Sequence, residues 1–518
     1  MKNRKNRIQR YKSDGSLPAD FIKESGLNVS QPDSFEEYSD LIFYDTFDWR
    51  LNKNSLILIR NKNSVYLYNL KKGQKTLSLQ WNIKKFPAFY KDFPESELKN
   101  KLSAYLGIRA LIPLITIAEN KTTYQIKNDD EKTVAQLVFQ TVENKKPSSN
   151  QCRQITLESI RGYPKEFSFI DKFLQKKGLI KSSIVPYFET MVSSGIQPGS
   201  YSSKFKLKLD PETTSAIALR KILIHLIKII KINEDGIRKD TDIEFLHDFR
   251  VAGRRARSAI SQIKYALPND ITLKLKNDLT IIGKMTNRLR DLDVYLLKRD
   301  EYINILPEKL QKGMEPVFIK LEKERIIEHK KLKTFLSGKK YKNILSNAEK
   351  YIEKDYASNI EAKNSNISIL PLARKTIWNR YNRIISSGRL INDITPDMNL
   401  HELRIECKKL RYLLEFFSSL FPTKKMDIII NQLKKLQDNL GDFNDLSVQQ
   451  ESMREILERY NQKAPELFNV SMSIGGLIAI LNNKQQELRH NFTDTFSEFA
   501  TKKNRKLYKN LFTTNKNI

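Results

Sequence analysis

Hydrophobic and polar positions follow two different periods along this chain, and the change comes just after residue 200. Before it, β-branched and aromatic side chains fall in short runs with partial alternation, the pattern of strands whose two faces meet different surroundings. Residues 40–46, 55–60, 64–70, 122–127, 133–142 and 154–160 are such runs. Turn signals separate them: Asn61-Lys62-Asn63, Lys72-Gly73 and Asn128-Asp129-Asp130-Glu131. Residues 167–177 form a short helix closed by Gly178, and the stretch 195–203, with Pro198, Gly199 and a serine cluster, marks a boundary. After Pro211 the apolar positions recur every three to four residues. Helices are expected over 212–232, over the next segment, over 271–290, 307–336 and 341–351, then a connector at 353–369 and a second set from Leu372. The expected class is α+β: an N-terminal antiparallel β tunnel or barrel-like domain over 1–200, then an all-α domain over 205–515.

Two segments of the helical half carry one pattern. Leu246-His247-Asp248-Phe249-Arg250-Val251-Ala252-Gly253-Arg254-Arg255-Ala256-Arg257 is echoed by Leu400-His401-Glu402-Leu403-Arg404-Ile405-Glu406-Cys407-Lys408-Lys409-Leu410-Arg411. At 100° per residue, His247, Arg250, Arg254 and Arg257 fall within a sector of roughly 80°, as do His401, Arg404, Lys408 and Arg411. The opposite faces are apolar, with Phe249, Ala256 and Ile260 in one copy and Leu403, Leu410 and Leu414 in the other. An ordinary amphipathic helix mixes acids with bases on its wet face, whereas these stack cations and one imidazole. Upstream, Lys221, His225 and Lys228 share a helix face, answered in the second copy by Arg380 and Arg383 with Thr376 in the first place. Downstream, Leu289-Arg290-Asp291-Leu292-Asp293 is answered by Leu440-Gly441-Asp442-Phe443-Asn444-Asp445. Each repeat, about 211–352 and 370–511, therefore reads as basic helix, basic helix, then a helix ending in an acidic turn. Duplication suggests a pseudo-twofold body whose basic faces converge.

Composition narrows the partner. A hydrophobic fraction of 40% is that of a globular chain, and Lys+Arg 91 against Asp+Glu 60 leaves a formal charge of +31. Such a surplus suits an anionic partner: nucleic acid, an anionic membrane or inorganic polyphosphate. No helix-turn-helix, zinc-finger or RNA-recognition signature favours nucleic acid. The apolar runs 110–118 and 222–232 are too short or too interrupted by lysine to span a bilayer. The basic start, Met1-Lys2-Asn3-Arg4-Lys5-Asn6-Arg7, is not followed by the apolar core of a signal peptide. Two cysteines, Cys152 and Cys407, fit neither a disulfide framework nor a metal module. A cytoplasmic protein without membrane contact, cofactor or metal is expected.

Arginine presents a planar fork of donors matched to phosphate oxygens, lysine a mobile point charge. At intervals of three or four residues such groups stand roughly 5–6 Å apart, a spacing suited to a chain of phosphates. Histidine adds a group that gains charge near neutral pH. His329 and His490 have no echo and read as ordinary residues. Asp291, Asp293, Asp442 and Asp445 read as helix caps or as orienters of arginines rather than metal ligands. Glu415, four residues beyond Arg411, reads as its tether. Trp378 and Tyr381, beside Arg380, read as core rather than a base-stacking surface.

The paired histidine motifs, the Arg290-Asp291-Leu292-Asp293-Val294 run and Lys409-Leu410-Arg411-Tyr412-Leu413-Leu414-Glu415-Phe416 resemble the CHAD domain, the conserved histidine α-helical domain, over about residues 207–511. The resemblance implies two pseudo-twofold-related four-helix bundles around a basic surface that binds inorganic polyphosphate, often at polyphosphate granules. Carried over by motif position, the binding set is His247, Arg250, Arg254, Arg255, Arg257, His401, Arg404, Lys408, Lys409 and Arg411, to which the upstream faces add Lys221, His225, Lys228, Arg380 and Arg383. The first half resembles the CYTH, or triphosphate tunnel, fold through Tyr44-Asp45-Thr46, Leu58-Ile59-Arg60, Leu70-Lys71 and Leu157-Glu158-Ser159-Ile160-Arg161-Gly162-Tyr163. Active members of that family open with a Glu-x-Glu-x-Lys strand that holds a divalent metal. Here Ile8-Gln9-Arg10-Tyr11-Lys12 keeps only the lysine, and Gln140 and Thr141 stand where an acid is expected. The resemblance thus implies a degenerate tunnel, without catalytic residues, in which Lys12, Arg60, Lys71 and Arg161 retain phosphate. The alternatives are a metal-dependent triphosphate or polyphosphate hydrolase whose helical domain gathers substrate, and a nucleic-acid binder.

Overall fold

The computed structural model describes residues 7–13, 28–30, 37–81, 85–145, 151–183, 185–354, 356 and 359–513; the tail 1–6 and part of the connector expected at 353–369 lie outside these. The chain divides into two compact units, Met1–Ser202 and Ser203–Ile518.

Among its described residues the first unit carries one antiparallel sheet of ten strands: β1 (Ile8–Ser13), β2 (Asn28–Ser30), β3 (Glu37–Thr46), β4 (Leu56–Arg60), β5 (Ser64–Asn69), β6 (Gln74–Gln80), β7 (Leu111–Lys127), β8 (Thr133–Asn144), β9 (Cys152–Ser159) and β10 (Ile180–Lys181). Their order is β10-β1-β9-β8-β7-β3-β4-β5-β6, with β2 also pairing β7. The sheet curls: Arg10 Nη2 on β1 donates to the carbonyls of Lys72 (3.0 Å) and Gly73 (3.2 Å) in the β5–β6 turn at the far end of that order. Gly73 has φ +64°, a conformation glycine adopts without strain, and the Arg10 guanidinium lies close over its Cα. Helices α1 (Glu97–Leu106) and α2 (Pro164–Lys176) carry buried leucine, isoleucine and phenylalanine onto the sheet. Helix α3 (Pro186–Ser193) lays Tyr187 and Met191 against Leu41, Phe43, Ile57, Ile59 and Ile117 on the concave face. The strand expected at 122–127 is the second half of β7; its apolar first half gave no alternation to read.

The second unit is helical among its described residues. Its first half comprises α4 (Ser215–Arg238), α5 (Ile243–Gln262), α6 (Asn269–Leu297), the short α7 (Arg299–Asn304) and α8 (Glu308–Gln311), α9 (Glu315–Ser337) and α10 (Lys339–Glu353). Its second comprises α11 (Ile369–Gly388), α12 (Asp397–Phe417), α13 (Thr423–Glu458), α14 (Leu467–His490), α15 (Phe492–Phe499) and α16 (Lys502–Phe512). Packing runs in the same order in both: α4 on α5 and α5 on α6, then α11 on α12 and α12 on α13. The halves meet through paired backbone bonds, Ser215 N to Ile367 O and Ile369 N to Thr213 O, both 2.8 Å. Thr214 and Ser368, the residues before α4 and α11, face each other antiparallel across this pair. Reciprocal bonds between equivalent residues are the local mark of a twofold relation. The halves also share a core in which Leu292, Tyr302, Phe318 and Leu321 pack with Met453, Val470, Ile474 and Leu477.

One expectation is corrected. Asp291 and Asp293 do not end a helix, since α6 runs on to Leu297, and Asp442 and Asp445 lie well inside α13. Buried Leu292, Tyr295, Phe443 and Met453 keep the apolar stripe going past the acids, so packing sustains the helix where the charges alone suggested a stop. No helix among the described residues is long and apolar enough to cross a membrane.

Candidate functional site: a cationic face between α5 and α12

Helix α5 starts at Asp242, whose side chain accepts from the backbone N–H groups of Glu244 (2.9 Å) and Phe245 (3.3 Å). The cap fixes the helix start and hence which way its stripe faces. Phe249, Ala252, Ala256, Ala259 and Ile260 are buried, and on α12 so are Leu403, Cys407, Leu410 and Leu414. With those faces inward, the stripes of α5 and α12 turn toward each other. Arg254 on α5 lies close enough to Arg404 and Lys408 on α12 for its charge to act on both. Arg250, Arg254, Arg257, Arg404 and Lys408 are all half-buried. The predicted convergence of the two stripes is therefore present.

The electrostatics are those of a cluster in which cations outnumber their acidic partners. Burial, with Arg254 beside it, pushes Arg250 down to about 10. Burial and Arg254 lower Arg257 likewise. Burial, then Arg404 and Arg254, bring Lys408 down to about 8. Arg250 Nη1 is steered onto α6, donating to Thr286 Oγ1 (2.6 Å) and Asn287 Oδ1 (2.8 Å), neither of which neutralises it. The buried Nε atoms of Arg254, Arg257 and Arg404 meet no acceptor among the described residues. Of the nearby carboxylates Asp291 and Asp445 are exposed, Asp445 holding Arg404 Nη2 at 3.0 Å, while half-buried Glu244 and buried Asp293 act on Arg290. Unmatched buried donors and crowded like charges both raise the free energy of the empty site, and an anion relieves both.

The sequence profile of the CHAD domain matches residues 221–454, the segment that carries both stripes. This segment is a CHAD domain. Among solved structures, the CHAD domain from the plant Ricinus communis is 22% identical, with a TM-score of 0.48 over 57% of this chain and 97% of that one. PptA from Streptomyces chartreusis is 14% identical, with a TM-score of 0.42 over 55% of this chain and 100% of that one. No curated protein matches the chain.

Within the CHAD segment the two copies of the motif are not used alike. Arg255 points about 100° away from the stripe, into a half-buried pair with Glu415 (Nη2–Oε2 2.7 Å, Nε–Oε2 3.0 Å), and also donates to Ser203 O (3.0 Å). Arg411 meets the other oxygen of Glu415 at 2.9 Å, so the expected tether is there, and Glu415 holds both copies at once. Glu406 gathers a second group: Arg380, Lys409 (2.7 Å) and, more loosely, Arg383 (3.9 Å). Where the second copy has Glu406, the first has Ala252. That single acid pairs with Arg380 and Lys409 and lies near Arg383, three cations of the predicted binding set.

The histidines divide too. His401 Nδ1 pairs with Asn444 Oδ1 of α13, which fixes its ring at the start of the stripe. His247 occupies the matching half-buried place on α5. His225 lies edge-on to Phe205 at 5.2 Å; burial, then Lys228 and Arg255, lower it, which favours the neutral ring. Lys221 and Lys228 are exposed on α4. His329 Nε2 donates to the Ile237 carbonyl (2.7 Å), an interhelical tie without an echo. Tyr381 is core, stacked on Tyr508 at 3.9 Å. The acids act on arginines as one of the two expected roles had it: Asp293 holds Arg325 at 2.7 Å.

Sequence reasoning missed Arg290. It lies on α6 among Arg250 and Arg254, burial lowers it, and its Nη1 has no acceptor among the described residues. Its signal was available, one helical turn before Val294 and three residues beyond Asn287, but was absorbed into the supposed acidic turn. Gly441 stands at the matching place in the second copy, so the cluster is weighted toward the first.

In the N-terminal unit the four cations carried over from the tunnel resemblance do not come together. Lys12 lies on the strand pattern as expected but is paired with Glu189 of α3. Arg60 turns to the outer side, over the Phe86 ring at 5.7 Å. Lys71 is exposed at the opposite end of the β4–β5 hairpin, and Arg161 is exposed past β9. The concave face holds instead a buried Glu119, which accepts from Gln140 (2.5 Å) and Tyr187 (2.5 Å) and pairs with Lys121 (3.0 Å).

Proposed function

We propose that this protein binds inorganic polyphosphate on the α5–α12 face, by electrostatic capture rather than by turnover. The observation that carries this reading is the group of half-buried cations, Arg250, Arg254, Arg257, Arg290, Arg404 and Lys408, crowded together with unmet donors and outnumbering the carboxylates that act on them. A single phosphate engages two or three such groups. A linear polymer of phosphates engages all of them along three helices, and each contact releases counterions. The CHAD resemblance narrows the anion from any polyanion to polyphosphate, and we extend the same proposal to association with polyphosphate granules in the cytoplasm. For the first unit we propose a degenerate triphosphate-tunnel domain, supported by its curled antiparallel sheet and by Arg10 and the paired Lys12 on its opening strand.

The test is retention of length-defined polyphosphate by the full chain at two salt concentrations, with duplex DNA as competitor. Arg254→Ala/Arg257→Ala is expected to weaken binding at least about tenfold and to flatten the salt dependence. Binding is expected to weaken as pH rises through about 8, where Lys408 loses its charge. Displacement by duplex DNA at similar phosphate concentration would remove the case for polyphosphate over nucleic acid.

A further inference from the structure

We propose that Lys408 is an acylation site whose acyl donors are acyl phosphates. Its ammonium group belongs to the cationic face and is an amine among the guanidinium groups of Arg250, Arg254, Arg257, Arg290 and Arg404. Lys409, the next residue, is held by Glu406 at 2.7 Å. Lys408 Nζ makes no hydrogen bond or ion pair among the described residues. Its side chain is half-buried, with Arg404 one turn before it on α12 and Arg254 facing it from α5; from α13 the exposed Asp445 pulls the other way. This is the setting that activates a lysine: partial desolvation beside fixed cations destabilises the ammonium and leaves the free amine. Burial and the two guanidinium groups bring it down to about 8, so near neutral pH an appreciable share is unprotonated, against roughly one part in a thousand for a lysine at the ordinary value of about 10.4.

The arginines do a second thing. An acyl phosphate is an anion, and its phosphate is the part that Arg254 and Arg404 attract. Its carbonyl carbon is one bridging oxygen away, which brings the electrophile near the amine on which both arginines act. The free amine attacks that carbon, and the carbon–oxygen bond to phosphorus breaks. Inorganic phosphate leaves with the electron pair, and the surplus proton on nitrogen passes to it or to water. The product is a neutral amide in the middle of the cluster. The proposal needs the cluster and the amine only, not polyphosphate binding.

The experiment treats the full chain with acetyl phosphate and follows each lysine by peptide mass spectrometry at early times. Lys408 is expected to acetylate at least about tenfold faster at pH 7.5–8 than the exposed Lys284 and Lys221. Its rate is expected to level off above about pH 9, while theirs keeps rising. Arg254→Ala is expected to slow acetylation of Lys408 alone, and Lys408→Arg to abolish the fast site without creating another. Equal rates at the three lysines, or a rate at Lys408 that climbs without levelling to pH 10, would overturn the proposal. Because the measurement contains no polyphosphate, that outcome would leave the polyphosphate reading standing.

Discussion

Two neighbouring arginines show how little separates a binding residue from a structural one. Arg254 and Arg255 differ by one step of a helix, about 100°, and that rotation sends one to the cationic face and the other to Glu415. The periodicity of the stripe pointed to Arg254 and its i±3 and i±4 neighbours. Arg255 and Lys409 joined the candidate set through the motif, which records residue types and not the direction each side chain takes. Their acidic partners, Glu415 and Glu406, were visible as letters, but what they reach across the helix–helix contact was not. Arg255→Ala leaves Glu415 half-buried with only Arg411, and is expected to lower stability by about 2–3 kcal/mol. Thermal unfolding should show a lower Tm with polyphosphate affinity changed less than about threefold. A tenfold affinity loss at unchanged Tm would place Arg255 on the binding face after all.

At the scale of elements, the helical period located α10 to within two residues and the start of α4 to within three, because each buries an apolar stripe, while the run expected over 307–336 is divided between α8 and α9. It failed at helix ends. Runs such as Arg290–Asp293 look like a stop in sequence, yet α6 continues because its next apolar positions meet the shared core of the two halves, a contact the local pattern does not contain. Glycines within helices make the same point in a testable way. Gly236 in α4 lets the ring of Phe245 approach so closely that a Cβ would lie 2.2 Å from it, whereas a Cβ on Gly441 in α13 would meet nothing within 4 Å. Sequence cannot tell these two apart. Gly236→Ala is expected to destabilise by about 1–3 kcal/mol through overpacking, and Gly441→Ala to stabilise by up to about 1 kcal/mol through helix propensity. Denaturant titration of the two variants should give shifts of opposite sign. Shifts of the same sign would mean that the α4–α5 approach is looser than it stands.

For the whole molecule, duplication was the most legible property, since a repeat is a comparison of the chain with itself and needs no knowledge of packing. The paired stripes therefore led to the pseudo-twofold body and the converging face. The N-terminal unit was legible only as strands. Its concave face depends on three distant segments meeting: β1, the β5–β6 turn, and α3, whose Tyr187 and Glu189 reach Glu119 and Lys12. Short apolar runs cannot forecast that meeting, and so Arg60 and Lys71 were grouped although the hairpin holds them apart. This arrangement bears on whether the protein turns over phosphate chains. On the concave side Lys12 is occupied by Glu189, and Glu119 by Gln140, Tyr187 and Lys121, which leaves Glu158, on β9 opposite Ile8, as the carboxylate with most freedom to serve a metal. If binding is the function, phosphate release from triphosphate or polyphosphate with magnesium or manganese should stay at the level of buffer, and Glu158→Gln should change nothing. The decisive contrary result is metal-dependent release by the full chain that disappears in Glu158→Gln. It would make the first unit the working part of a hydrolase and the cationic face between α5 and α12 the device that supplies its substrate.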